Sequence, residues 1–356
     1  MAPRPVYLVH ADGSLPNIAL MRMSTYFKSI GRSVTLLRGG AIWDSERHPD
    51  GDVYGSSIFL FSDSIRTKIE STWGHVRWGG TGVRVDSSLS EIDSSVDWDS
   101  VQLDYSLYPG FEPSIGFLSR GCRLRCGFCV VPAKEGKPRA VAGVRDIWRG
   151  GGHPKHLHLL DNDAFAPQLR NHWRDAIEEM ISGNFRVCFS QGLNVRLIDD
   201  ESASMIARIR YTGHSFDKRR LFTAWDSLGD ESIFRRGVAT LAKAGVPAKH
   251  LRVYMLVGYD PKETWETIFY RHAELVALGC EPFPMVYDRS RPELRAFARW
   301  GGAARVPLYK VTPWTNYAVD GREDTRLTDE TRAVSNAAYQ RVLGGWKPIR
   351  RLQVSS

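Results

Sequence analysis

Apolar residues in the first eighty positions fall into short runs separated by turn residues. Pro5 to His10 reads as a strand. Asp12, Gly13 and Pro16 then turn the chain. Asn17 to Ile30 carries Ile18, Ala19, Met21 and Tyr26 at helical spacing, and Gly31 is placed to cap it. Val34 to Leu37 predicts a second strand. Tyr54 to Phe61 predicts a third, with Ser57 to Phe61 as its apolar core. Strand, helix and strand in alternation predict an α/β unit with a parallel sheet over residues 1–80. Between 81 and 110 the pattern gives way to Asp86, Ser87, Ser88, Ser94, Ser95 and Asp97, the composition of a linker or an excursion between domains.

From Ser114 the alternation becomes regular. Strands are predicted at Ile115–Ser119, Leu157–Leu160, Arg186–Ser190, Leu221–Ala224, Leu251–Val257 and Pro284–Tyr287. Helices are predicted between them at Val144–Arg149, Gln168–Ser182, Glu201–Arg210, Glu231–Ala244 and Pro261–Leu278. Six strands alternating with helices predict parallel βα repeats, and the count fits a partial (βα)6 barrel over residues 111–290. Such a barrel keeps its chemistry at the C-terminal ends of its strands. Residues 291–356 are expected as an extension with helices at Glu293–Trp300 and Glu330–Leu343 and irregular chain elsewhere. The predicted class is α/β, a smaller Rossmann-like unit preceding the barrel.

Composition narrows the function. Of 356 residues, 42% are hydrophobic and 25% charged, a globular rather than a disordered balance. No stretch approaches the roughly 20 apolar residues of a membrane helix. Met1 to Pro5 lacks the apolar core of a signal peptide. A cytoplasmic protein without a membrane partner is expected. The net charge of +8 suits a nucleic acid or an anionic cofactor, and equally a solubilising surface. Five unevenly placed cysteines exclude a disulfide scaffold. There is no Walker-type phosphate loop; Gly150-Gly151-Gly152 reads as a turn.

The chemistry concentrates in Gly121-Cys122-Arg123-Leu124-Arg125-Cys126-Gly127-Phe128-Cys129, directly after a predicted strand. Three thiolates on a tight loop can face one inorganic centre. A closed zinc site takes four protein ligands, and the nearest further histidine, His153, is a chain segment away. Three thiolates on an iron–sulfur cube leave one iron open to a reagent.

This C-x3-C-x2-C spacing resembles the radical S-adenosylmethionine superfamily, with Phe128 before the third cysteine as is common there. Ser119-Arg120-Gly121-Cys122 and Cys129-Val130-Val131-Pro132, followed by Gly136 and Arg139, are similar to the methylthiotransferase and cobalamin-dependent branches. The resemblance covers roughly Ser114 to Tyr287. It implies a 4Fe-4S cluster on Cys122, Cys126 and Cys129, with S-adenosyl-L-methionine chelated at the open iron. It also implies reductive cleavage to a 5′-deoxyadenosyl radical, and a reductant such as flavodoxin or ferredoxin. The first 80 residues resemble a cobalamin-binding domain but lack its Asp-x-His-x-x-Gly motif; His10-Ala11-Asp12-Gly13 has the order reversed. A vestigial domain without cobalamin is expected. The extra cysteines of a second cluster are also missing.

The same resemblance implies cofactor partners at the strand ends. Asp161-Asn162-Asp163-Ala164-Phe165 is similar to an Asp-Asp-x-Phe motif, with Asp161 or Asp163 on the methionine ammonium; a helix N-cap suits aspartate equally. Gln191-Gly192-Leu193-Asn194-Val195-Arg196 offers Arg196 to a carboxylate and Gln191 and Asn194 to ribose or substrate, or is an ordinary turn. Val257-Gly258 would stack by adenine, or simply turn the chain. Trp225 and Asp226 are substrate-side candidates for catalysis, with core packing the rival for Trp225. Cys188 reads as an inert buried thiol, and Cys280 as a candidate substrate-side thiol. His156 and His158 share one face of a strand, with His153 nearby.

Two functions emerge. One is a radical enzyme abstracting hydrogen from a nucleic acid, a nucleotide, or a small metabolite or peptide. Trp300, Tyr309, Trp314 and Tyr317, interleaved with Arg299, Arg305 and Lys310, would cover the barrel mouth or stack on nucleic acid. The other is a non-catalytic nucleic-acid-binding protein stabilised by zinc or a cluster.

Overall fold

The structure, a computed structural model, describes residues 3–44, 50–303, 307–317 and 327–344. It divides into two compact units, Met1–Leu157 and His158–Ser356. The protein is mixed α/β with parallel sheets, and among the described residues no helix is long and apolar enough to cross a membrane.

In the first unit, β1 (Val6–His10), β2 (Val34–Arg38), β3 (Asp52–Ser56) and β4 (Arg77–Gly79) form a parallel sheet in the order β2-β1-β3-β4. Every residue of β1 is buried, because helices cover both faces. Val6 and Leu8 pack with Leu20, Met23 and Phe27 of the helix Ile18–Ser29. Tyr7 and Val9 pack on the other side with Ile69 of the helix Asp63–Trp73. Asn17 caps the first helix by accepting from the Leu20 N–H at 3.1 Å.

The third strand differs from expectation. It ends at Ser56, and Ile58, Phe59, Leu60 and Phe61 are exposed. The cause is Asp12. Its carboxylate accepts the N–H groups of Ile58 and Phe59 at 2.8 and 3.1 Å and the Ser57 hydroxyl at 2.7 Å. Those bonds draw the chain out of the ladder before its apolar run begins.

Residues 81–110, expected as a linker or an excursion, lie against the helix Ile18–Ser29. Trp98 is buried there, with Leu89, Ile92, Val96, Val101 and Leu107 packed around the same cluster. Arg22 donates to Asp99 at 2.7 Å, and the Tyr26 hydroxyl to Asp93 at 2.8 Å. The Asp104 carboxylate accepts from Ser24 and Lys28, each at 2.6 Å. Burial pushes the Asp104 carboxyl up, but its bonds with Lys28, Ser106 and Ser24 outweigh burial and hold it at about 2, against an ordinary 3.8. A depressed carboxyl stabilises the fold above its unfolded pKa and loses that effect as pH falls through the folded one. Asp104→Asn should therefore lower stability at neutral pH, and the gap from wild type should close between about pH 4 and pH 2 in acid unfolding followed by tryptophan fluorescence. A gap constant with pH would refute this.

Further along the unit lie β5 (Ser114–Gly116), β6 (Ser119–Arg120) and β7 (Arg139–Ala140), the last two paired antiparallel.

The second unit holds β8, β9 (Arg186–Phe189), β10 (Arg210–Tyr211), β11 (Leu221–Ala224), β12 (Leu251–Val257) and β13 (Glu281–Val286); β8 (His156–Leu159) begins at the boundary. β9 lies between β8 and β10, and β11, β12 and β13 pair in parallel. Helices Arg170–Ser182, Asp200–Arg208, Glu231–Lys243 and Trp265–Ala277 connect them. Two isolated parallel bridges, Ala164 to Leu193 and Leu193 to Thr223, extend the pairing past the strand ends.

The C-terminal aromatics correct the expected stacking surface. Trp300, Tyr309 and Trp314 are buried, and Trp300 and Trp314 pack with Phe269, Phe297 and Tyr339. The Trp300 N–H donates to the Thr312 carbonyl at 2.8 Å, and that of Trp314 to the Ser335 hydroxyl at 3.1 Å. These rings are core, because the apolar face of the helix Trp265–Ala277 needs covering. Arg305 lies outside the described residues.

Candidate functional site

The three cysteines sit on a loop closed at its base by the β6–β7 pair. Arg120, at the end of β6, donates to Glu135 Oε1 at 2.9 Å and lies over the Phe117 ring at 4.5 Å. The other oxygen of Glu135 accepts the Gly121 N–H at 2.8 Å. Gly121 has φ +88°, and a Cβ there would stand 2.4 Å from the Lys137 carbonyl oxygen, so only glycine fits. The Cys122 N–H donates to the Gly136 carbonyl at 3.1 Å. The short helix Val131–Glu135, with Pro132 in its first turn, brings Gly136 back beside Cys122. Arg120, Gly121, Pro132, Glu135 and Gly136 thus shape the loop.

Cys122, Cys126 and Cys129 are thiols of intermediate exposure, and Phe128 between them is partly exposed as well. The Leu124 N–H points at Cys122 Sγ at 3.4 Å, and the Cys129 N–H is spent on the Cys126 carbonyl at 2.9 Å. A backbone N–H aimed at sulfur tunes any centre that sulfur holds.

In the second unit, the predicted strand-end residues converge. Asp161 and Asp163 follow β8 and are buried, with Asn162 partly buried between them. Phe165 adopts φ +66° and stacks on Trp173 at 4.9 Å. Strain at a non-glycine residue marks a backbone fixed by its surroundings. Ala164 bridges to Leu193 within the Gln191–Arg196 turn, and Leu193 to Thr223 just before Trp225 and Asp226. The turns after β8, β9 and β11 are therefore stitched side by side.

Within that row the roles separate. Gln191 is exposed and Asn194 partly buried. Arg196 donates to Asp230 at 2.8 Å and to Asn194 at 3.2 Å. Trp225 is 1% exposed, stacked on Phe234 at 5.1 Å, with its N–H donated to the Ser227 carbonyl at 2.7 Å. Its ring is a packing surface. Asp226 accepts the Leu256 N–H at 2.9 Å. Burial pushes its carboxyl above the ordinary 3.8, against the pull of that N–H and of Arg271 and Arg196. A carboxyl so placed at a strand end suits proton transfer.

Val257 is buried at the end of β12. Gly258 has φ +79°, and a Cβ there would meet Leu294 at 2.3 Å; its N–H donates to Glu263 at 2.6 Å. Glu263 also accepts from Arg271, which donates to the carbonyls of Trp225 at 3.2 Å, Asp226 at 3.3 Å and Leu256 at 2.9 Å. Arg271 thus ties the ends of β11 and β12 together. Arg271, Glu263 and Asp230 went unrecognised in the sequence. The signal for Arg271 was there: it lies three residues after Ile268 and four before Leu275, on the apolar face of its helix.

In the first unit, His10 is buried and its Nδ1 lies 3.1 Å from the Tyr108 hydroxyl. The sheet order reverses between β1 and β3, where doubly wound sheets bind ligands, and Tyr108 packs edge-on against His10 at that end of β1. Burial, then the charge of Arg38, holds the imidazole neutral at about 4.

No protein-family model matches this chain, and no curated protein matches it.

Proposed function

We propose that the chain is a radical S-adenosylmethionine enzyme with a partial (βα)6 barrel over residues 111–290. The observation that supports this most is the cysteine loop: three thiols in C-x3-C-x2-C spacing on a turn clamped by Arg120, Gly121 and Glu135. The donor set fits, since iron–sulfur centres are held by cysteine thiolates. A 4Fe-4S cluster on Cys122, Cys126 and Cys129 would supply one-electron cleavage of the sulfonium of S-adenosyl-L-methionine to a 5′-deoxyadenosyl radical, given a flavodoxin- or ferredoxin-like reductant.

The chain's own residues would bind and orient. Asp161 and Asp163 offer acceptors for the methionine ammonium. Arg196 carries five N–H donors, two of which meet Asp230 and Asn194, so its fork can also take a carboxylate. Asn162, Gln191 and Asn194 offer amides to ribose or substrate. Val257 and Gly258 would border the adenine, and Phe128 the cofactor beside the thiols. Asp226 would hold or move a proton at its carboxyl. The substrate is a nucleotide or nucleic acid, or a small metabolite or peptide; burial of Trp300, Tyr309 and Trp314 takes those rings out of any stacking role. The engagement of His10 with Tyr108 supports a first unit that works without cobalamin.

Anaerobic reconstitution tests the proposal. Iron and sulfide should reach about four each per chain, and dithionite should release 5′-deoxyadenosine. Tightly held zinc at the cysteine loop without that release would overturn it, in favour of a non-catalytic nucleic-acid-binding protein. Asp163→Ala and Arg196→Ala should each weaken S-adenosylmethionine binding by about ten- to a hundred-fold, the effect of removing a charge-assisted partner, with iron content unchanged. Calorimetry on the reconstituted variants measures this, and wild-type affinity in both would remove these residues from the site.

A further inference from the structure

His158 of β8, Cys188 of β9 and His214, from the loop after β10, come together inside the second unit. Their ligand atoms all lie within 4.8 Å of one another. His158 and Cys188 are buried, whereas His214 is exposed. His214 Nδ1 stands 3.3 Å from His158 Nε2. Around a tetrahedral zinc ion with Zn–N bonds of about 2.0–2.1 Å, two nitrogens stand about 3.3–3.4 Å apart. The observed separation is therefore the edge of such a tetrahedron.

The donor types agree. Two imidazoles and one thiolate suit a borderline-soft ion. Phe216, Phe222 and Tyr254 pack around Cys188 and wall the group off on one side. His214 and Phe222 also line a cavity of about 420 Å³, together with Arg220, Arg252, Glu281 and Lys310. That cavity meets the group at His214 and has room for a water. Cys188 would bind as the thiolate, so an entering ion displaces its proton.

We propose that His158, Cys188 and His214 bind one zinc(II) ion through three protein ligands, with the fourth position open to the cavity. Three ligands and an open position are the pattern of a zinc that activates water or polarises a substrate. Cys188 is then a ligand rather than an inert thiol, and the partner of His158 is His214, 56 residues away, not His153 or His156. The site uses no residue of the cysteine loop and stands independently of the radical reading.

Cobalt(II) is the probe. The full chain with Cys122, Cys126 and Cys129 all replaced by alanine is stripped with chelator and titrated. One equivalent should give tetrahedral ligand-field bands and a thiolate-to-cobalt charge-transfer band, both displaced by zinc. Cys188→Ser should lose the charge-transfer band. His214→Ala, at an exposed position and so expected to keep its circular dichroism, should weaken binding about 100-fold or more, since losing even an outer-shell partner costs about 10–100-fold. No charge-transfer band at one equivalent, or unchanged affinity in His214→Ala, would overturn the site. If Cys188→Ser does not fold, His214→Ala decides alone.

Discussion

Cys126→Ala should leave the reconstituted protein colourless, with iron down from about four per chain to background and no 5′-deoxyadenosine released. The loop offers three thiols, and two cannot hold an iron–sulfur cube against loss to chelators and solvent. The loop itself should survive. Its clamp runs through Arg120, Glu135, Gly121 and the backbone of Cys122, and the Cys126 carbonyl accepts the Cys129 N–H whatever the side chain. Circular dichroism should therefore be unchanged while absorbance and activity vanish. Cys122→Ala and Cys129→Ala should behave alike, whereas Cys280→Ala should keep its iron because that thiol is buried in the second unit. Retained iron in Cys126→Ala would refute the ligand assignment. Cys188→Ser should also keep its iron and change only what cobalt reports.

Arg271→Met should cost about 3–5 kcal/mol of stability, the range for removing one partner of a buried ion pair. Arg271 and Glu263 have side-chain exposures of 2% and 11%. Removing the guanidinium strips Glu263 of its countercharge and leaves the carbonyls of Trp225, Asp226 and Leu256 without their donor. It should also push the Asp226 carboxyl further up, because Arg271 is one of the charges holding it down. Urea unfolding measures the loss. The double variant Arg271→Met, Glu263→Gln should recover part of it, since the orphaned charge is then gone. Arg208→Ala, which breaks an exposed pair with Glu178, should leave stability nearly unchanged. A loss under about 1 kcal/mol in Arg271→Met would show that the network is not held by charge.

Elements with a strong period were legible in the sequence. Leu221–Ala224 and Leu251–Val257 have the expected bounds, because polar pairs, Arg219-Arg220 and Lys249-His250, precede each apolar run. The cysteine loop was legible too, since spacing along the chain is spacing on a tight turn. What escaped depended on partners distant in sequence. No local rule says that Asp12 will draw Ile58 and Phe59 out of a strand. None says that a Ser/Asp-rich stretch will cover a helix 77 residues earlier through Asp99 and Arg22. The aromatics near Trp314 looked exposed because basic residues surround them, yet the uncovered face of Trp265–Ala277 claimed them. His214 was overlooked for the same reason: its neighbours in space are 26 and 56 residues away.

The packing of residues 81–110 onto the helix Ile18–Ser29 has a consequence for synthesis. The strands and helices of the first sheet leave the ribosome before Trp98 and Leu107 do. At about 5–20 residues per second, some thirty further residues take roughly 2–6 s. For that interval the outer face of the helix, with Tyr26 among its residues, has no cover from its own chain. The nascent protein passes through a sticky stage of fixed length, and the polar Ser/Asp character of the arriving segment keeps the cover itself soluble until it docks.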